Sequence, residues 1–113
     1  MKKLIFLITL FLLIPCFAFA WILEVSWNAN TDTDLAGYKI YYGTSSGVYS
    51  TTIDAKNVTV YDITNIPDNR TYYIALTAYD TSGNESLKSN EVSIAVPDIT
   101  DPNLPIIITI KIQ

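Results

Sequence analysis

Apolar and polar side chains alternate with a period of two along several short segments of this chain. The clearest segment is Thr71 to Tyr79, where Tyr72, Ile74, Leu76 and Ala78 fall on one face. A period of two is the spacing of a β-strand that buries one face. Turn residues separate such segments at intervals of about 8 to 12 positions, and no segment has a helical pattern. The sequence therefore predicts an all-β sandwich.

Five other segments are predicted as strands of the same domain: Ile22–Trp27, Tyr38–Tyr42, Tyr49–Ile53, Val58–Ile63 and Asn90–Val96. We expect the third of these to be a short edge strand. Alternation assigns these side chains to the core: Leu23, Val25, Trp27, Tyr38, Ile40, Tyr42, Val92, Ile94 and Val96. The fourth segment is ambiguous, because its two valines alternate against Tyr61 and Ile63.

The first twenty residues have the pattern of a secretion signal. Two lysines supply positive charge, an apolar run follows, and Ala18 and Ala20 are the small residues that a signal peptidase accepts. We expect cleavage after Ala20 and a protein that is secreted, periplasmic or displayed at the cell surface. The sequence then divides into a signal peptide at 1–20, a β-domain at 21–97 and a tail at 98–113.

Two other interpretations of the signal remain open. The apolar run continues to Leu23, so an uncleaved segment would be about long enough to anchor the chain in a bilayer. That anchor would be its only contact with a membrane. Cys16 ends a stretch that resembles a lipoprotein box, although Pro15 departs from the pattern. Otherwise Cys16 is discarded with the signal.

Composition excludes several functions from the expected mature chain. Without residues 1–20, 93 of the 113 residues remain, with five basic and eleven acidic side chains and a formal net charge of −6. Such a surface repels phosphate, so we expect no nucleic-acid partner. The remaining chain has neither cysteine nor histidine, so it lacks a thiolate, an imidazole base and soft metal ligands. We predict that it is not an enzyme and carries no cofactor.

Trp27, Tyr38, the run Ile66-Pro67-Asp68 and Tyr72 resemble, in their order, the marker residues of fibronectin type III modules. The stretches 32–43 and 78–90 are similar to modules in bacterial secreted proteins. The resemblance covers about residues 21–97. It implies an immunoglobulin-like β-sandwich of fibronectin type III topology.

The resemblance also implies roles for individual residues. Trp27 would pack at the centre of the core. Tyr72 would form a tyrosine corner, in which its hydroxyl bonds backbone near the turn that holds Ile66 and Pro67. The proline directly follows the apolar residue, a small departure from the family pattern. Counting back from the corner favours Tyr61 and Ile63 inward, with a bulge or a small outer apolar stripe absorbing the valines. The residues expected to build the core and corner are Trp27, Tyr38, Ile40, Tyr42, Ile66, Pro67, Tyr72, Ile74 and Leu76.

The two ends of the domain depart from the family. The expected mature chain begins within the tryptophan strand, so the family's first strand is missing. Beyond Pro105, isoleucines alternate along residues 106–113 in a half-buried strand pattern. We expect this tail strand, 105–112, to replace the missing strand beside residues 22–27, in its own molecule or by donation to a neighbour. The alternative is a linker followed by the first strand of another module.

Two groups of residues are candidates for binding. The carboxylates Asp32, Asp34, Asp80 and Glu85 lie in loops that the family gathers at one pole, where they are weak candidates for a calcium site. Carboxylates in turns more often cap backbone amides. A candidate contact face lies on the outer side of one sheet and consists of Lys39, Tyr41, Tyr73, Thr77 and Tyr79. Tyrosines there would contact protein or sugar, although they also stabilise solvated sheet faces by cross-strand pairing.

The sequence favours an exported, non-enzymatic module that mediates protein–protein interaction or adhesion. One alternative is a carbohydrate-binding accessory module that uses the same tyrosines for a glycan ligand. Another is a structural subunit that self-associates through its C-terminal strand.

Overall fold

The computed structural model describes residues 21–98 and 107–112. The ordered elements in these ranges are seven strands, in chain order: β1 (Trp21–Trp27), β2 (Leu35–Gly43), β3 (Thr51–Lys56), β4 (Val60–Ile66), β5 (Arg70–Asp80), β6 (Val92–Val96) and β7 (Ile107–Ile112). These ranges contain no helix, and therefore none that could span a membrane. The predicted signal peptide, including Cys16, lies outside the described residues.

The strands form two sheets with a shared core. One sheet has the order β4-β1-β7 and the other the order β3-β2-β5-β6. Their inner faces meet in one apolar cluster, to which both sheets contribute: Trp21, Leu23, Val25, Trp27, Tyr38, Ile40, Ala55, Ile63, Ile66, Tyr72, Ile74, Val96, Ile110 and Ile112. The prediction of an all-β structure is confirmed, and the arrangement is that of a β-sandwich.

An aromatic pair forms part of this core. Trp27 is 4% exposed, and its ring meets that of Tyr38 edge-on, with centroids 5.3 Å apart. Edge-to-face packing is a favoured arrangement of two aromatic rings. The Tyr38 hydroxyl accepts a hydrogen bond from the backbone N–H of Asn30 at 2.7 Å, which satisfies its polar tip. Tyr42 and Leu76 also pack on the core but remain partly exposed.

The predicted edge strand at Tyr49–Ile53 is wrong in its bounds, because β3 begins at Thr51. The turn between β2 and β3 is longer than the glycine and serine residues of the sequence indicated. The N–H of Val48 donates to the carbonyl of Ser45 at 3.1 Å, and Gly47 has a φ of 77°. A Cβ on Gly43 would lie 2.4 Å from the Val48 carbonyl oxygen, so only glycine fits this close approach.

The predicted strand Val58–Ile63 is also displaced, since β4 begins at Val60 and reaches Ile66. Ile63 is buried and Tyr61 half-buried, whereas both valines are exposed. The register against β1 shifts between the Leu23↔Ile63 and Trp21↔Ile66 pairs, and Asn65 has a φ of 59°. The bulge therefore lies at the end of β4 and not beside the valines.

The strand predicted at Asn90–Val96 begins later, at Val92. Ahead of it, Ser89 bonds β5 with both its main chain and its side chain. Its N–H donates to the Leu76 carbonyl at 2.8 Å, and its Oγ accepts from the Leu76 N–H at 3.0 Å. The Ser89 hydroxyl thus accepts the bond that a main-chain carbonyl of a paired strand would accept. The regular β5–β6 ladder therefore begins later, at Val92.

The tail strand β7 lies beside β1 in the same chain. The two run parallel in register from Ile22↔Ile107 to Trp27↔Ile112. Ile110 and Ile112 enter the core, while Ile107 is 61% exposed. The edge predicted to be vacant is thus filled within one molecule. Residues 105 and 106 of the predicted tail strand lie outside the described residues.

Candidate interaction surface

The outer face of the four-stranded sheet carries a network of tyrosines and carboxylates. Strand β2 supplies Lys39 and Tyr41, and β5 supplies Tyr73, Thr77 and Tyr79. Register places Tyr41 opposite Ala75 and Lys39 opposite Thr77. Because alternate residues of a strand share a face, the period-two pattern was sufficient to put these side chains on one side of the sheet.

Glu85 joins three of these residues. Its carboxylate accepts hydrogen bonds from the Tyr41 hydroxyl and, at 2.7 Å, from the Thr77 hydroxyl, and it lies 3.6 Å from the Lys39 ammonium. The bond from Tyr41 is the main reason that the pKa of Glu85 lies below its ordinary value; that from Thr77 comes next. The same bond raises the pKa of Tyr41. Glu85 therefore stays charged and Tyr41 stays protonated at neutral pH.

A second carboxylate, Glu91, fastens the β2–β3 turn to the sheet. It accepts hydrogen bonds from the Ser46 hydroxyl at 2.6 Å, the Gly47 N–H at 2.8 Å and the Tyr49 hydroxyl at 2.7 Å. These bonds, with that from Ser46 first, lower the pKa of Glu91. Burial, together with the bond to Glu91, raises the pKa of Tyr49 to about 12. Tyr49 thereby lies beside Tyr41, with ring centroids 6.2 Å apart.

A third pair lies toward the β3 edge. The Tyr79 hydroxyl donates to the Asp54 carboxylate at 2.7 Å, which lowers the pKa of Asp54 and raises that of Tyr79. Lys39 lies 5.6 Å from the centroid of the Tyr79 ring. Lys88 lies 4.5 Å from the centroid of the Tyr41 ring. Cation–π contacts of this kind hold ring and ammonium together.

We name this set the tyrosine face; its exposed and half-buried members are Lys39, Tyr41, Tyr49, Asp54, Tyr73, Tyr79, Glu85, Lys88 and Glu91. Beneath it, Ala75 is buried and Thr77 is 2% exposed. Thr77 was predicted as a contact residue, but it supports Glu85 from below and offers almost no surface.

Tyr73 lies at the far end of the face, opposite Gly43 and Ser93 in register. The structure does not bring it to the other tyrosines.

Sequence reasoning missed Tyr49, Asp54, Lys88 and Glu91. Tyr49 was assigned to an edge strand and Glu91 to the last strand, yet a side-chain bond spans the 42 residues between them. Periodicity carries no signal for such a pairing. Glu85 was noticed, but as a metal ligand and not as the partner of Tyr41.

The four carboxylates considered for calcium do line one cavity, of about 270 Å³. Asp80 is engaged in its own turn, where it accepts from the N–H groups of Ser82 at 2.9 Å and Asn84 at 2.8 Å. Glu85 is engaged with the tyrosine face. Across residues 21–98 and 107–112, no three acidic, histidine or cysteine side chains are grouped so as to hold a metal ion.

Comparisons with known proteins give one match of limited extent. The chain is 34% identical over 76 residues to a Kelch domain-containing protein of Saccharolobus solfataricus. The alignment covers 67% of this chain but 10% of that protein, so the chain spans about one tenth of the relative's length. No protein-family model matches the sequence, and no solved structure matches it significantly.

Proposed function

We propose that this chain is an exported, non-enzymatic module of the fibronectin type III kind, which binds a protein partner through the tyrosine face. The proposed topology is supported by seven strands in two sheets, a buried indole in the core and a tyrosine corner. In this proposal β7 takes the place of the family's first strand. The 76-residue match is about the length of one small domain within a far larger protein, which is consistent with a module.

The observation that carries the binding proposal is the fixed position of three tyrosines. Tyr41, Tyr49 and Tyr79 each donate their hydroxyl to a carboxylate of the same face. Tyrosine supplies a large amphipathic contact area, and a ring already held in place loses little entropy when a partner binds. Tyrosine is also enriched among the residues that dominate interface energetics. The face is thus ordered before any partner arrives.

The experiment is affinity capture with the purified protein, compared with its Tyr41→Ala and Tyr79→Ala variants. We expect both variants to lose capture of the partner while melting within a few degrees of the parent. Val60→Ser is the matched control, because Val60 is 49% exposed on the other sheet. Capture by the tyrosine variants at the parental level would refute the proposal. A glycan array run on the same proteins separates the carbohydrate alternative, which requires glycan binding that Tyr41→Ala abolishes.

A further inference from the structure

Two neighbouring cavities lie at one end of the sandwich, next to the tyrosine face. The first, of about 270 Å³, has carboxylates in its lining and is called the polar half; the second, of about 220 Å³, is more apolar and is called the apolar half. Asn30, Ala78 and Ser86 line both, so the two cavities are adjacent and share a wall. We name this feature the pole groove. The N–H of Asn30 is bonded to the Tyr38 hydroxyl, which fixes the wall that both halves share.

The apolar half is built from the core itself. Trp27, Tyr38, Leu76 and Ile112 line it, so the seated tail strand contributes one wall. The Trp27 indole N–H is buried without a hydrogen-bond partner in the described part of the chain. A buried donor left unpaired costs free energy.

Leu87 lies on the rim of the same half and is 94% exposed. The backbone holds it there, because the chain is fastened to β5 on both sides. The N–H of Ser86 donates to the Ala78 carbonyl and that of Ser89 to the Leu76 carbonyl, each at 2.8 Å. An exposed leucine on a fastened backbone beside an apolar concavity is a feature of contact surfaces.

The polar half is acidic. Asp32, Asp34, Asp80 and Glu85 line it, and no lysine or arginine is among the described residues that do. Asp32 and Asp34 are exposed. The hydrogen bonds from the Asn84 and Ser82 amides keep Asp80 charged at neutral pH, since they lower its pKa. The charge of this half is therefore negative over the physiological range.

We infer that the pole groove binds a protein segment in which an aliphatic side chain stands next to lysines or arginines. The aliphatic side chain packs between Leu87 and the Trp27 floor, and the basic side chains lie against the Asp32 and Asp34 carboxylates. Charge complementarity selects the basic class and sets the register of the segment. This inference rests on the proposed function, because it specifies the partner of an interaction module whose tyrosine face shares Tyr79 and Glu85 with the groove.

The test uses an array of synthetic peptides on a glycine–serine framework, probed with the purified protein. Each peptide carries one leucine and two arginines at spacings of one to four residues; matched peptides replace the leucine by serine or the arginines by glutamine. We expect binding only where both features are present, at some spacings and not at others. Raising the salt concentration should weaken it, because the carboxylates are exposed. Equal binding of the glutamine peptides, or of the serine peptides, would overturn the inference.

Variants of the protein locate the site. Leu87→Ser should weaken the best peptide at least tenfold, and Asp32→Asn with Asp34→Asn should do so several-fold at low salt. The controls are Val48→Ser, which changes an exposed valine in the β2–β3 turn, and Asp62→Asn, which neutralises an exposed carboxylate on β4. Both should bind as the parent does. Because Leu87 is exposed, Leu87→Ser should leave the melting temperature unchanged.

Failure of this inference is distinguishable from failure of the proposed function. If Tyr41→Ala abolishes capture of a natural partner while Leu87→Ser and the aspartate variants retain it, the module binds elsewhere and the groove is not its site. If none of these variants changes capture, both the proposed function and the inference are wrong.

Discussion

The hydroxyl of Tyr72 donates a hydrogen bond to the carbonyl oxygen of Pro67 at 3.0 Å. The ring of Tyr72 is buried in the core, and its tip reaches the turn that joins β4 to β5. Asn69 in that turn has a φ of 58°, a backbone conformation that asparagine tolerates better than most residues. The bond thus ties a turn under conformational constraint to the middle of the sandwich.

We expect Tyr72→Phe to lower the free energy of unfolding by about 1 kcal/mol, because it removes this bond and leaves the ring in place. Urea denaturation monitored by tryptophan fluorescence measures the change. The control is Tyr73→Phe, its neighbour on the opposite face. Equal stability of Tyr72→Phe and the parent would show that the corner does not hold the turn.

The sequence predicted the layers of this fold better than its edges. A strand that buries one face must alternate apolar and polar residues, and this alternation can be seen in a short stretch of sequence. Leu23, Val25 and Ile40 could therefore be assigned to the core from the sequence alone. The predicted starts of β3 and β6 were wrong because contacts between residues far apart or in a tight turn decide them. Ser89 bonds β5 through its hydroxyl, and the carbonyl of Val48 lies close to Gly43. Neither contact changes the alternation of apolar and polar residues, so the sequence pattern did not predict it.

The tyrosine face was predicted only in part, for a related reason. The period of two placed Tyr41 and Tyr79 on one side of the sheet. Their carboxylate partners are 44 and 25 residues away in sequence, and these partnerships depend on the register between strands. Thr77 was predicted as a contact residue and lies on the correct face of the sheet. It offers almost no surface, because Glu85 and Tyr41 lie above it.

The tail strand should contribute directly to core stability. Ile112 is 2% exposed, and Ile112→Ala is expected to cost about 2–4 kcal/mol, because it removes buried methyl groups and leaves a cavity. Ile107→Ala in the same strand should change little, since Ile107 is exposed. Thermal and urea denaturation of the two variants provide the comparison. A similar effect of both substitutions would contradict the seating of β7 against the core.

Removal of the whole tail should be more severe. A chain truncated after Pro97 loses β7, which exposes the edge of β1 and one wall of the core. We expect a lower melting temperature and concentration-dependent association, because an unpaired strand edge is a template for pairing with other chains. Light scattering and calorimetry would detect the two effects. A truncated chain that melts and remains monomeric as the parent does would show that β7 is dispensable.

Acid should loosen the attachment of the β2–β3 turn. The pKa of Glu91 is lower in the folded chain than its ordinary 4.5, so the unfolded chain takes up a proton more readily. The stabilisation is therefore present above about pH 4.5 and is lost as the pH falls through the folded value. Glu91→Gln should reduce stability at pH 7 and flatten its decline in acid, as measured by denaturation at a series of pH values. Asp62→Asn, on the other sheet, should reproduce neither effect.

Alkali should act on the same turn through Tyr49. Its pKa is raised to about 12, so between the ordinary value of 10 and about 12 the folded chain keeps a proton that the unfolded chain has lost. The stability that this phenol contributes is complete below pH 10 and declines as the pH rises through that window. In a near-ultraviolet titration of tyrosinate, Tyr49→Phe should lose one of the late-ionising phenols of the parent, and its stability should fall less steeply in alkali. An unchanged set of late-ionising phenols in Tyr49→Phe would contradict the Tyr49–Glu91 bond.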